Sequence, residues 1–130
     1  MKSYAFPLVL LFSIISAGCS DNKLACNDGD AKTKVLDVIH SHIDGTDGFD
    51  TRIKPHLGKR FISDITTLEA NKELGRYKCS ATYSFEWKGK MKTEDFSYDL
   101  KYIEDKKTSE AFVDVSKIRG AYMKALVFGQ

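Results

Sequence analysis

The chain has 130 residues and a mass of 14.6 kDa, the size of one compact domain. Apolar residues make up 42% of it and charged residues 29%, which excludes a disordered or low-complexity chain. Twenty basic and eighteen acidic residues leave a formal charge of +2, too balanced to indicate a nucleic-acid partner.

The N-terminus has the pattern of an export signal. Lys2 supplies a positive charge, and residues 4–15 are almost continuously apolar. A permanent transmembrane helix needs about 20 apolar residues, so this run is too short for one. It has instead the length and flanking charge of the apolar region in a secretory signal peptide. The run is followed by small residues and a cysteine, in the order Ser16-Ala17-Gly18-Cys19.

This four-residue motif resembles the lipobox of bacterial lipoproteins, although Ser16 stands where that family usually has leucine. In the family, a diacylglyceryl group alkylates the cysteine, the chain is cleaved before it, and the new amine is often acylated. The resemblance implies that Cys19 is lipidated and begins the mature protein. An ordinary signal peptide followed by an incidental cysteine is the alternative.

The lipoprotein resemblance also implies a domain organisation and a location. Residues 1–18 are then the signal peptide, residues 19–25 a lipidated tether, and residues 26–130 a single domain. Lipoproteins with aspartate after the lipidated cysteine tend to stay in the inner membrane, whereas this chain has Ser20 there. We therefore expect an envelope protein that is anchored by lipid in the outer membrane and faces the periplasm.

The two cysteines of the predicted domain, Cys26 and Cys79, are expected to form a disulfide because an exported protein folds in an oxidising compartment. A bridge closing this loop would stabilise the fold by roughly 4 kcal/mol in the chain-entropy estimate. The alternative is a nucleophilic cysteine paired with a histidine, but neither cysteine lies in a recognisable catalytic signature. The available histidines are His40, His42 and His56.

Residues 27–43 have the spacing of an amphipathic helix. Four aliphatic side chains recur at intervals of three and four residues and form one apolar stripe. Asp28 or Asp30 is placed to cap the N-terminus, and Gly45 to end the helix. The segment from residue 44 to 55 has the composition of a loop. The stripe consists of Val35, Leu36, Ile39 and Ile43.

Four later segments have the features of β-strands. The second has the clearest pattern, because six apolar side chains alternate with polar ones, as in a strand with one buried face. The strands are predicted at residues 61–69, 77–87, 91–103 and 108–115. The apolar side chains of the second are Tyr77, Cys79, Ala81, Tyr83, Phe85 and Trp87.

The other strands have weaker patterns. In the first, Ile62 and Leu68 are expected on the face opposite Phe61 and Ile65. Ser116 is placed to cap a short C-terminal helix, in which Gly120 lowers the helix propensity. In the third strand, Phe96, Tyr98, Leu100 and Tyr102 share one face. The C-terminal helix has Ile118, Tyr122, Ala125 and Leu126 on one side.

The order of elements predicts an α+β fold, in which the N-terminal helix packs on a four-stranded antiparallel meander and a short C-terminal helix follows. A bridge between Cys26 and Cys79 would tether the start of the first helix to the second strand. The layout resembles a small cystatin-like roll in architecture only, because the cystatin inhibitory motif Gln-x-Val-x-Gly is absent.

The sequence selects no metal or catalytic centre. His40 and His42 are two residues apart and so lie on different faces of a helix. An EF-type calcium loop starting at Asp44 would need glutamate at its twelfth position, where this chain has Pro55. No catalytic triad signature, phosphate loop or glycine-rich fingerprint is present. We therefore expect a non-enzymatic protein without metal or cofactor.

The polar face of the second strand, or its adjoining turn, is the predicted contact surface for a partner, because no apolar patch is left over to explain binding. We expect Lys78, Trp87 and Lys88 to contact the partner, with Trp87 only half covered because it lies near the end of the strand. Tyr83, Phe85 and Trp87 have two interpretations. They form an aromatic platform for a ligand, or they pack in the core. The polar face comprises Arg76, Lys78, Thr82, Glu86 and Lys88, beside Asp95, Asp99 and Lys101 of the third strand.

Basic residues also gather around His56 and around the turn that follows Trp87. Such groups can bind anionic lipopolysaccharide, peptidoglycan or an acidic partner. Alternatively, they are solvated lysines that protect strand edges from pairing. They are Lys54, Lys59 and Arg60, and Lys88, Lys90 and Lys92.

These observations predict a membrane-anchored envelope lipoprotein that binds a protein or another envelope partner. Accessory, exclusion, immunity and lysozyme-inhibitor lipoproteins have this size and layout. The alternative is a carrier of a small apolar ligand between helix and sheet. A cavity between the helix stripe and Tyr98, Leu100 and Tyr102 would favour the carrier, and a filled core the binding protein.

Overall fold

A computed structural model describes residues 26–129, so the predicted signal peptide, Cys19 and the tether lie outside the described residues. The fold is α+β, as predicted, with a four-stranded antiparallel sheet in the order β1-β2-β3-β4 and two helices. The elements are α1 (Gly29–Asp44), β1 (Leu57–Asn71), β2 (Arg76–Trp87), β3 (Lys90–Ile103), β4 (Thr108–Val113) and α2 (Ser116–Phe128).

Helix α1 buries the stripe that its sequence predicts, with Val35, Ile39 and Ile43 in the core and Leu36 partly buried beside them. Asp28 is the N-cap residue, but its side chain accepts no capping hydrogen bond. The helix also closes the outer edge of β4. The Lys34 ammonium donates hydrogen bonds to the Ser109 carbonyl, at 2.6 Å, and to the Thr108 hydroxyl.

The segment predicted as a loop after α1 contains two short helical turns, a π-helical one at Phe49–Ile53 and a 3₁₀ one at Lys54–His56. Phe49 and Ile53 are buried. Two apolar side chains four residues apart pin this segment to the core, because burying each contributes on the order of 1.5–3 kcal/mol. Its many aspartates and glycines hide that pattern in the sequence.

Strand β1 is longer than predicted, and a β-bulge corrects the predicted assignment of its faces. The register with β2 shifts between Ser63 and Thr66, around Asp64, whose φ is +52°. Ile62 and Ile65 therefore both pack against the core. Phe61 and Leu68 are exposed. The expectation that Phe61 and Ile65 share one face, and Ile62 and Leu68 the other, is wrong because the bulge inserts an extra residue into the alternation of side chains.

We call the sheet face under the helices the inner face and the opposite one the outer face. The inner face holds most of the apolar set predicted for β2 and β3, and register pairs such as Cys79 with Tyr98 and Ala81 with Phe96 lie side by side on it. At the rim of this face, Tyr77 is only partly buried and Tyr102 is exposed.

Both helices cover the inner face. The His40 ring of α1 approaches the edge of Tyr83, with 6.1 Å between ring centroids. The Tyr122 ring of α2 stacks on Phe85, at 4.1 Å. Ser116 is the first residue of α2, and its amide and hydroxyl groups donate hydrogen bonds to the Asp114 carboxylate. Ser116 was predicted to cap the helix, but the side chain that accepts the hydrogen bond from the first backbone amide of α2 is that of Asp114.

The two cysteines predicted to pair lie at bonding distance, with the sulfur atoms of Cys26 and Cys79 2.08 Å apart. Both residues are buried, and the Tyr98 hydroxyl donates a hydrogen bond to the Cys26 carbonyl at 3.1 Å. The first described residue is thus fixed near the start of β2. Between residues 26 and 129, no helix has both the length and the apolar character to span a membrane.

Candidate functional site

Trp87 lies in the core, so the expectation that it would be half covered and contact a partner is wrong. Only 1% of its surface is exposed. It is the last inner-face residue of β2 and pairs with Leu57 across the sheet, and the His56 ring lies 5.2 Å from it between centroids. The 3₁₀ turn before β1 therefore covers the indole, whose Nε1 has no hydrogen-bond partner among the described residues.

Lys78 and Lys88 are both exposed, but they do not form one site. Lys78 lies on the outer face at the start of β2, whereas Lys88 lies in the turn after its end. Ten residues of an extended strand, at roughly 3.3 Å each, put their Cα atoms about 30 Å apart. The sheet face and the adjoining turn, the two alternatives that the sequence predicts for partner binding, are therefore separate surfaces.

The outer face of the sheet is polar and uncovered by either helix. The Thr82 hydroxyl donates a hydrogen bond to the Asp95 carboxylate at 2.9 Å, and Lys78 pairs in register with Asp99. Ser84 is buried at the centre of this face, beside Phe61. The face combines charges of both signs with a few exposed apolar groups.

A groove of about 700 Å³ lies on the outer face around Lys78. Its walls include the exposed side chains of Leu74, at 62%, and Phe112, at 55%. The charged groups in its lining are Glu69, Arg76, Lys78, Asp99 and Lys101. Because the lining carries charges of both signs, it favours neither an anionic nor a cationic ligand.

A second groove, of about 430 Å³, lies where α1 meets β4 and is lined by Val38, His42 and Phe112 among others. Leu100 lines the first groove, but neither groove is lined by the apolar stripe of α1, by Tyr98 or by Tyr102. The two therefore do not correspond to the cavity that would favour an apolar-ligand carrier. The aromatic rings of Phe85 and Tyr122 fill the space between α2 and the sheet by stacking.

A polar cluster joins α1, the sheet and α2 in the interior, and sequence reasoning did not find it. The Arg60 guanidinium makes two hydrogen bonds to the Asp44 carboxylate, at 2.8 and 3.3 Å. The hydroxyls of Tyr83 and Tyr122 lie 2.8 Å apart. His40 completes the cluster, and its Nε2 is buried without a hydrogen-bond partner among the described residues.

Burial determines the charge states in this cluster. It raises the pKa values of Tyr83 and Tyr122, so both phenols remain protonated. Burial, together with the nearby Arg60 charge, lowers the pKa of His40, which keeps the imidazole neutral near pH 7. Burial would lower the pKa of Arg60, but the hydrogen bonds to Asp44, together with the electrostatic effects of Tyr83, Tyr122 and Asp44, outweigh it and the net shift is upward.

The two tyrosines of the cluster are buried. Tyr83 is fully buried, Tyr122 is 2% exposed, and neither groove is lined by any residue of the cluster. The cluster therefore joins the three layers of the fold. The sequence offered one indication of this cluster, which is that Asp44 at the end of α1 is followed sixteen residues later by the basic residue Arg60.

The end of the sheet at the β2–β3 turn carries a group of exposed lysines, which we call the basic tip: Lys54, Lys59, Lys88 and Lys90. Backbone contacts bring these segments together. The Lys88 amide donates a hydrogen bond to the His56 carbonyl at 2.9 Å, and Trp87 pairs with Lys90. The two basic segments noted in the sequence thus form one surface.

Within residues 26–129, no three His, Cys, Asp or Glu residues are grouped so that they could hold a metal ion. Comparison of the chain with protein-family models, curated proteins and solved structures finds no match. The function is therefore argued from the surfaces described above.

Proposed function

We propose that this protein is a lipid-anchored bacterial envelope lipoprotein whose domain binds an envelope protein without catalysing a reaction, as an accessory, immunity or inhibitor protein does. Cys19 carries the lipid, and the domain faces the periplasm from the outer membrane. The resemblance of Ser16-Ala17-Gly18-Cys19 to a lipobox supports the anchor. Two or three acyl chains would hold the protein durably, whereas one chain gives only marginal binding.

The observation that carries the binding function is the uncovered outer face. Both helices contact the inner face, through His40 and Tyr122, so the outer face and the basic tip remain open. Cys26 is fixed to Cys79, near the far end of β2 from that tip. A chain anchored before Cys26 would present the open surfaces to the surrounding periplasm.

The test of the anchor is the Cys19→Ser variant in the native host, with labelled fatty acid and separation of soluble, inner-membrane and outer-membrane fractions. We expect wild type to take up label and sediment with the outer membrane. We expect the variant to take up no label and to leave the membrane fraction. A variant that still partitions with membranes as wild type does would show that the lipoprotein assignment is wrong.

The test of partner binding is chemical crosslinking in the intact envelope, followed by mass spectrometry of the captured species. We expect one recurrent protein adduct whose crosslinks map to outer-face or tip residues. Crosslinks confined to α1 and α2 surfaces would contradict the proposed use of the open sheet.

A further inference from the structure

Basic residues outnumber acidic ones in two segments that meet at one end of the sheet. Residues 52–60 and 86–92 contain seven Lys and Arg residues and one acidic residue, Glu86. The rest of the sequence contains thirteen basic and seventeen acidic residues. These two segments are therefore net basic even though Arg60 is paired with Asp44, and a net basic surface attracts anionic partners over a distance.

The charges of the basic tip are not neutralised within the domain. The carboxylate of Glu86 accepts a hydrogen bond from the Lys59 amide at 3.2 Å and lies against Gly58. The ion pairs among residues 26–129 are Arg60–Asp44 and Lys106–Glu110, neither of which involves a lysine of the tip. The four ammonium groups therefore remain available to a partner.

The backbone at Lys88 adds a second observation. Its φ is +51°, in the left-handed region, and Gly89 follows with φ +83°. Asparagine, aspartate or glycine is preferred at the first position of such a two-residue hairpin turn, because other side chains crowd the backbone there. The sequence instead holds an exposed lysine in this turn of the hairpin.

The position of the basic tip argues against the anchoring membrane as its partner. Cys26, where the described chain begins, is bonded to Cys79, and Lys88 lies nine residues further along the strand direction. An extended strand of that length spans about 30 Å. The tip therefore projects away from the end at which the N-terminal segment enters the domain.

The surroundings of the tip favour a protein over a purely anionic polymer. Phe61 and Met91 are 40% and 47% exposed on the adjoining outer face. They pair in register with Ser84 and Glu86, neighbouring outer-face positions of β2. Protein interfaces combine an apolar centre with a charged rim, whereas a polyanion would leave these two side chains without a role.

Resting on the proposed function, we infer that the basic tip is the contact surface and that its partner is a protein presenting clustered Asp and Glu side chains beside an apolar patch. The lysines attract and orient the acidic surface, and Phe61 and Met91 supply the apolar contact. Such complementarity raises the association rate and makes binding sensitive to salt.

The test uses the full-length protein in its native envelope, with a photo-crosslinking amino acid at one of three positions. Lys90 reports on the tip, Thr93 on the outer face, and Lys106 on the opposite end of the sheet. Each version is also made with Lys59→Glu and Lys88→Glu together. The matched control is Lys107→Glu, because Lys107 is an exposed turn lysine with nearly the same φ, +52°, at the opposite end.

We expect a protein adduct at Lys90 that falls about tenfold or more with the tip reversals and is unchanged by Lys107→Glu. We expect its crosslinked segment to be acidic, and reversal of those acids to lysine to restore the adduct with the tip variant. An adduct that survives the tip reversals would overturn the inference.

Two further outcomes separate this inference from the proposed function. Adducts at Thr93 or Lys106 but not at Lys90 would leave partner binding standing and refute the role of the tip, whereas the absence of adducts at all three positions would refute both. The third outcome is that the purified protein floats with phosphatidylglycerol vesicles, that the tip reversals abolish this flotation, and that Lys90 gives no protein adduct. This outcome would identify a membrane surface, and not an acidic protein, as the partner of the tip.

Discussion

The hydroxyl groups of Tyr83 and Tyr122 lie 2.8 Å apart in the interior and share a hydrogen bond. Tyr83 belongs to the sheet and Tyr122 to the C-terminal helix, so this bond links the last element of the chain to the centre of the fold. Burial raises the pKa of both phenols, which keeps a proton available for the bond throughout the physiological range.

Replacing Tyr122 with phenylalanine should lower the free energy of unfolding by about 1–3 kcal/mol, because the Tyr83 hydroxyl stays buried and loses its partner. Denaturation by urea measures the change. Tyr102→Phe is the control, since Tyr102 is exposed at the rim of the sheet, and it should change stability by less than about 0.5 kcal/mol. Equal effects of the two variants would contradict the importance of the buried bond.

Replacing Phe85 with alanine should cost about 3–5 kcal/mol, because the ring is fully buried and stacks on Tyr122 at 4.1 Å. Phe112→Ala is the matched control, since 55% of that ring is exposed on the outer face. The midpoints of urea denaturation compare the two. If Phe112→Ala were the more damaging change, the assignment of inner and outer faces would be reversed.

The disulfide should account for about 4 kcal/mol of stability, because it closes a long loop in the unfolded chain. The double variant Cys26→Ser with Cys79→Ser removes it without leaving a free thiol. A direct check is thiol titration of the unfolded, unreduced Cys19→Ser protein, in which neither remaining cysteine should react. Two reactive thiols would show that the pair is not bonded in the cell.

Stability should decrease as the pH falls below about 6.5, and His40 should contribute to this loss. Its pKa is lowered in the folded protein, by burial first and by Arg60 second, from a reference value of 6.5. Below that pH the unfolded chain binds a proton that the native state resists, so acid favours unfolding.

The His40→Gln variant tests this pH dependence, with unfolding free energies measured between pH 7 and pH 5. It should flatten the decline relative to wild type. The exposed His42 on the same helix provides the control, and His42→Gln should leave the decline unchanged. A decline of wild-type steepness in His40→Gln would assign the pH dependence to other groups.

The candidate surfaces were only partly predictable from the sequence. Lys78 and Lys88 are exposed because they lie at an outer-face position and in a turn, as alternation along β2 predicts. The exposure of Trp87 was not predictable, because a residue at a strand end is covered only if another segment folds over it. Here the 3₁₀ turn that contains His56 does so.

By itself, the sequence determined the type and order of the elements and the inner face of β2. These follow from local periodicity, because a helix repeats every 3.6 residues and a strand every two, whatever lies opposite. The same rule failed in β1, since the bulge at Asp64 depends on pairing with a neighbouring strand.

The tertiary structure alone decided which distant groups meet. It brought Asp44 to Arg60 and Tyr83 to Tyr122, and it gathered the lysines of residues 54–59 and 88–90 at one end of the sheet. Such contacts join positions far apart in the chain, and their energies depend on burial and on the register of paired strands. No local pattern of residues encodes them, because each exists only once the sheet and both helices have packed together.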